Sequence, residues 1–326
     1  MAQLHPQECF LLERYTSLEY IGALRDAWRE VVRLHEQALD DFMRQAPADL
    51  RSRHLSEQPD VTWGTVVLPN FRSTLRSLMN AYIYRSHDDP RAFRVGGGVT
   101  YDLRKGAVEY WDGWMSQDIL DRIDLFESEA SRRDRNLRIT CSVGGWEEGD
   151  LTYDYTDEAW GPLALPAAIP AYALDPGVVI RPGEPVVVTG LYLPDVDNAC
   201  AQFLHPYRTR QLEPELLKEQ GMGEIYVTQG LKKDEYGDWE ETQRVVPTWT
   251  LIRRVPDRYI AVPPEGFYPK DKPSSGRVEA GQPCPQAGTW WTPAKPDARR
   301  VFTQGEAMPG FPASRYGATI WYREAV

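Results

Sequence analysis

Histidine is scarce in this chain: five residues in 326, His5, His35, His54, His87 and His205, each isolated from the others. That spacing offers no H-E-x-x-H zinc helix, and no G-x-S-x-G nucleophile turn occurs, so no ready-made set of acid, base and nucleophile is present. Cysteine is scarcer still. Cys9, Cys141, Cys200 and Cys284 form no C-x-x-C pair, which argues against a zinc ribbon or a dense disulfide scaffold. Positive charge is in deficit, with 37 Lys and Arg against 48 Asp and Glu, a formal charge of −11 and a pI near 5.1. Such a chain has no net field to attract a nucleic-acid backbone, so no nucleic acid is expected as a partner. No apolar run approaches the roughly 18 residues of a membrane span, and none of the first twelve residues is Lys or Arg. The sequence therefore predicts a cytoplasmic protein with neither membrane partner nor export signal. Gly96-Gly97-Gly98 lacks the Gly-Lys-Ser/Thr of a phosphate loop, and no cofactor fingerprint or metal-ligand spacing appears, so none is expected.

What the chain has in abundance is large apolar surface. Hydrophobic residues make up 42%, including eleven Trp and seventeen Tyr, enough to offset the entropy of ordering most of the chain. From Thr16, with Glu19 three residues on as a capping box, Ile21, Leu24, Trp28, Val31, His35, Ala38 and Phe42 recur at helical spacing until Pro47. His35 lies on that apolar face and is read as a hydrogen-bonded core residue. A second helix is predicted over 70–87 with Phe71, Leu75, Leu78 and Tyr82 inward. A third is predicted over 116–132 behind Ser116, with a loop or hairpin at 96–111 between them. After Asn136 strand formers such as Leu137–Val143 and Val186–Thr189 alternate with turns, interrupted by a helical stretch at 213–219 and a linker at 273–281. The predicted class is α+β: a helical bundle over 1–136, a β-rich unit with an insertion over 137–272, and a second small β-rich unit over 273–326.

The two β-rich units are read as copies. Ile180-x-x-Gly183-x-Pro185 followed by Gly190-x-Tyr192 returns about 98 residues later as Val278-x-x-Gly281-x-Pro283 followed by Gly288-x-Trp290. Phe203 and Phe302 lie near the same offset, and Thr250-Leu251-Ile252 matches Thr319-Ile320-Trp321, each followed by an arginine, Arg254 or Arg323. Two copies are too few for a solenoid, so a pair of small barrels or sandwiches is expected, bent at the shared glycines. In the second copy Gly281, Pro283, Pro285 and Gly288 shape a stiff turn, and Trp290, Phe302 and Trp321 supply an aromatic core. Cys284, between two prolines and with no histidine nearby in sequence, is read as a structural thiol.

The stretch from Gly281 to Trp291 (GQPCPQAGTWW), with Pro293, Arg300, Phe302, Gly305-Glu306-Ala307-Met308-Pro309 and Trp321, resembles the immunity protein 71 and 72 group of bacterial polymorphic-toxin and type VI secretion systems. The resemblance implies a non-enzymatic protein that binds and neutralises a cognate secreted toxin effector, a basic nuclease domain being the expected partner.

Two acidic and aromatic segments are the candidate toxin contacts. One carries Trp146, Glu147, Glu148, Asp150, Asp154, Asp157 and Glu158, interleaved with Tyr153, Tyr155 and Trp160. The other, in the insertion of the first copy, carries Asp234, Glu235, Tyr236, Asp238, Trp239, Glu240 and Glu241 around a hairpin turn. Rigid aromatics anchor interfaces and acids steer a basic partner, whereas solvated turns and a solubilising hairpin tip are the plainer readings. The alternatives left open are a hydrolase with an interdomain site and a peptide- or ligand-binding adaptor.

Overall fold

The computed structural model describes residues 2–94, 97–142, 144–207, 225–234, 239–268, 277–284, 287–292, 294–295, 298–311 and 319–323. Seven α-helices precede the strands: α1 (Pro6–Tyr15), α2 (Leu18–Arg44), α3 (Pro59–Thr62), α4 (Leu68–Ser86), α5 (Gly98–Glu109), α6 (Gln117–Cys141) and α7 (Asp157–Trp160). The order of helices followed by antiparallel sheets makes the protein α+β. None of the helices is long and apolar enough to cross a membrane among the described residues.

The stripe of α2 buries Ile21, Leu24, Trp28, Val31, His35 and Ala38. His35 stacks on Trp63 at 4.9 Å with Nδ1 2.8 Å from the Val31 carbonyl, and burial lowers its pKa to about 4, so it is a neutral core residue. The cap differs from expectation. Ser17, not Thr16, is the N-cap, accepting from the Tyr20 N–H at 3.1 Å, while Thr16 donates back to Leu12 at the end of α1. Helix α1 itself was not anticipated: ten residues opened by Pro6, too short for a clear periodicity.

Two further corrections concern α5 and α6. The segment expected as a loop or hairpin is α5, and α6 runs on through residue 136 to Cys141, absorbing most of the strand expected at 137–143. Asp134 of α6 receives the N–H groups of Gly97 and Thr100 and the Thr100 hydroxyl, so a carboxylate from one helix caps the start of the other. The segment 186–189 is irregular rather than a strand: Val186 is buried and Val187 exposed.

Among the described residues the strands form three antiparallel sheets. The first, in order β1-β6-β2-β3, joins β1 (Ala168–Ile180), β6 (Trp249–Ala261), β2 (Gly190–Pro194) and β3 (Gln202–Leu204). The second, in order β7-β10-β8-β9, joins β7 (Arg277–Glu279), β10 (Ile320–Arg323), β8 (Gly288–Trp291) and β9 (Arg299–Phe302). The third is the hairpin β4 (Val227–Lys233) with β5 (Trp239–Val245). The linker expected through Gly281 thus includes strand β7, and the helical stretch expected at 213–219 lies outside the described residues.

The repeat is visible in the topology, since both four-stranded sheets share one strand order. Ile180 lies opposite Trp249 as Val278 lies opposite Trp321, and Gly190 opposite Leu204 as Gly288 opposite Phe302. The two tryptophans even donate alike, Trp249 Nε1 to the Ile225 carbonyl at 3.2 Å and Trp321 Nε1 to that of Pro309 at 2.8 Å. The counterparts of Trp321 and Phe302 are therefore Trp249 and Leu204, not Ile252 and Phe203. Ile252 and Phe203 point to the opposite face of the first sheet, because neighbouring residues of a strand alternate sides.

That alternation organises the core. Leu191, Leu193, Phe203 and Ile252 face the helices, while Tyr192, Leu204, Leu251 and Trp249 face a smaller core closed by Ile225 and Val227 at the hairpin. Glu13 of α1 accepts from the Tyr172 hydroxyl at 2.7 Å and pairs with Arg254 at 2.7 Å, fastening the helix to β1 and β6. The chain divides into two compact units, Met1–Phe267 and Tyr268–Val326. The parts expected as 1–136 and 137–272 meet in one continuous apolar core, and α6 crosses the boundary placed between them. The second unit holds its own core of Val278, Cys284, Trp290, Phe302, Met308 and Trp321, with Phe302 and Trp321 edge to face at 4.9 Å. Pro285 lies outside the described residues.

Candidate functional site

Between α6 and β1 the chain makes the loop 145–156, ending in the short helix α7. Trp146 anchors it. The indole is fully buried, stacked on Tyr15 at 6.0 Å and edge-on to Trp160 at 4.7 Å, and its Nε1 donates to Thr140 at 3.1 Å. Its carbonyl accepts from Gln202 at 2.9 Å and from the Cys200 thiol at 3.1 Å, so loop and β3 are joined. Trp146 is therefore a core residue and not a surface contact.

The acids of this loop divide by burial. Asp150 is partly buried; its carboxylate accepts from the Glu147 N–H at 2.9 Å, and burial raises its pKa to about 6. Asp157 opens α7 and accepts from the Leu163 N–H at 3.2 Å, a local structural task. Glu147, Asp154, Asp157 and Glu158 are exposed, and Glu148 is half-buried.

The structure brings the two candidate segments together. Trp239, opening β5, donates Nε1 to the Glu148 carbonyl at 3.1 Å, and Lys233, closing β4, lies 3.8 Å from the Glu148 carboxylate. The same ammonium sits 4.5 Å from the Trp239 ring centre and 4.9 Å from that of Tyr153, held between two aromatic faces. Exposed Glu240 pairs with Lys232 at 2.5 Å. Loop and hairpin thus meet at an aromatic contact, Tyr153 and Trp239 about Lys233, with Glu147 and Asp154 exposed on the loop and Glu240 exposed on the hairpin. Asp234, next to Lys233 in the chain, is half-buried; Glu235, Tyr236 and Asp238 lie outside the described residues. Lys233 was not singled out in the sequence, although a lysine beside a cluster of acids and aromatics is the signal that points to it.

Close to this contact lies a carboxyl the sequence reading also missed. Glu8 of α1 is almost fully buried and accepts from the Ala201 N–H at 3.2 Å; burial, reinforced by Glu148 and Asp150, pushes its pKa up to about 8. Among the described residues no group of three His, Cys, Asp or Glu side chains is placed to hold a metal ion. No family model matches the chain, and neither a curated protein nor a solved structure matches it.

Proposed function

We propose that this chain is an immunity protein, a stoichiometric cytoplasmic inhibitor that covers the active site or substrate groove of a cognate secreted toxin, a basic nuclease domain. The observation that carries the reading is the meeting of two acidic and aromatic segments, far apart in sequence, through Trp239, Lys233 and Glu148. Exposed acids attract a cationic partner over about 10 Å at moderate salt, and rigid aromatics slow its release. The Gly281–Trp291 motif and the overall charge of −11 support the same reading.

The test pairs the purified chain with a toxin domain encoded beside it. A stable one-to-one complex and protection of cells expressing that toxin are expected. The triple substitution Glu147→Lys, Asp154→Lys, Glu240→Lys slows association about tenfold at low salt and much less at high salt. Absence of any complex, or turnover of a substrate by the isolated chain that a single side-chain truncation abolishes, overturns the proposal.

A further inference from the structure

The first unit carries a feature that runs against its charge. A groove of about 780 Å³ between α5 and α6 is lined, among the described residues, by Arg104, Arg132, Arg135 and Arg138 against two acids, Glu129 and Glu158. Its volume falls within the range of small-molecule sites. Three of the arginines recur every three residues along α6 and share one face, and Arg104 projects from α5 across from them.

Their states differ. Arg132 is paired with Glu129, which also binds Arg133. Arg135 donates to the Ala159 carbonyl and lies 5.3 Å from the Trp160 ring centre, yet its Nε is buried without a hydrogen-bond partner. A buried donor left unsatisfied costs about 1–3 kcal/mol and is a reason to look for a missing acceptor. Arg138 faces Asp134, but that carboxylate is occupied at the start of α5 by Gly97 and Thr100. No hydrogen bond or ion pair from the Arg104 or Arg138 side chain occurs among the described residues. Leu103, Leu125 and Phe126 form an apolar wall, with Leu125 exposed, and the Ser128 and Ser131 hydroxyls stand along it.

We propose that this groove binds a small phosphate-bearing molecule with an apolar or aromatic body. The guanidinium groups of Arg104 and Arg138 take the phosphate, and Leu125 and Phe126 pack the body. Guanidinium donors match phosphate oxygens two at a time, and a half-enclosed site strengthens each bond.

Calorimetry on the full-length protein, with pyrophosphate, AMP and dodecyl phosphate as separate probes, tests this. Pyrophosphate is expected to bind at millimolar concentration or tighter. Tighter binding of AMP indicates a planar body, and tighter binding of dodecyl phosphate an alkyl one. Arg104→Glu with Arg138→Glu loses at least tenfold in affinity for every probe, whereas Arg122→Glu, on α6 outside the groove, changes nothing; circular dichroism checks that each variant is folded. No binding of pyrophosphate at 10 mM, or equal binding by the double variant and the native protein, overturns the assignment. Should Arg104→Glu, Arg138→Glu fail to fold, Arg104→Gln alone carries the test, with a loss of at least threefold expected and no loss overturning it.

Discussion

The two four-stranded sheets share a strand order and a buried tryptophan on the same hydrogen-bonding role, but not a setting. In the first sheet both faces are covered: Leu193 and Phe203 pack toward the helices, and Tyr192, Leu204 and Trp249 toward the small core at the hairpin. In the second sheet the matching inner face is complete, whereas Trp291 and Val301, at the positions of Leu193 and Phe203, are 40% and 69% exposed. A single strand pattern thus serves two ends. The inner face specifies the small β fold, and the outer face decides whether the copy is built into a larger core.

The largest expected effect tests that division. Trp249→Ala removes a fully buried indole and its bond to the Ile225 carbonyl, a change that costs about 3–5 kcal/mol. Trp321→Ala does the same to the second core. Hydrogen exchange read by peptide should show the first loss spreading to α1 and α2, and the second confined to the C-terminal unit. Equal deprotection of α2 by both variants would break the comparison, because it would make the two sheets one cooperative unit.

Next in size is a pH effect in the first unit, where α1 and the loop 145–156 pack against the first sheet. In the folded protein Glu8 holds its proton up to about pH 8, against an ordinary value of 4.5. Folding therefore takes up a proton between those limits, and stability falls as pH rises through them; Asp150, raised to about 6, and Glu127, raised to about 7, add to the fall. Glu8→Gln keeps an acceptor for the Ala201 N–H and should raise stability at pH 8 by a few kcal/mol, making the profile between 4.5 and 8 less steep and leaving the share of Asp150 and Glu127. Urea midpoints measured at pH 5 and pH 8 check this, and a native slope that survives the substitution would locate the proton elsewhere.

How much of this fold is legible in the sequence differs from element to element. The apolar stripe of α2 needs no tertiary information, and its extent was legible. The end of α6 was not, because Asp134, Asn136 and Thr140 break its stripe and are buried for tasks set by other segments. Asn136, for instance, donates to Tyr20 at 3.1 Å and to the Trp160 carbonyl at 2.9 Å. The repeat was legible from its glycines and prolines, yet its aromatic partners were assigned to the wrong face, since neighbouring apolar residues such as Phe203 and Leu204 serve opposite cores. Each acidic segment could be picked out alone. Their meeting could not, for the bond from Trp239 to Glu148 spans 91 residues.

A smaller effect asks how closely the copies match. Gly183 and Gly281 sit at equivalent turns with φ of +83° and +89°, and a Cβ at either would meet nothing within 4 Å. The cost of alanine at either turn is then the backbone term alone, about 1–2 kcal/mol for a left-handed residue. Gly183→Ala and Gly281→Ala should lose the same amount in denaturant titrations of their own units. Unequal losses would show that one turn is held by contacts the other lacks.

The smallest effect is expected where the copies diverge. Trp291 stacks on Tyr322 at 5.1 Å on the outer face of the second sheet, and Val301 stands open beside it. Exposed side chains without a cavity to leave behind shift stability by no more than about 0.5 kcal/mol, so Val301→Ser should leave the midpoint of the small unit almost unchanged. Phe203→Ser, the same change on the covered face, empties a site in the helical core and should cost several times as much. A large loss from Val301→Ser would mean that the outer face is covered in solution, and the contrast between the sheets would then be one of partner rather than of burial.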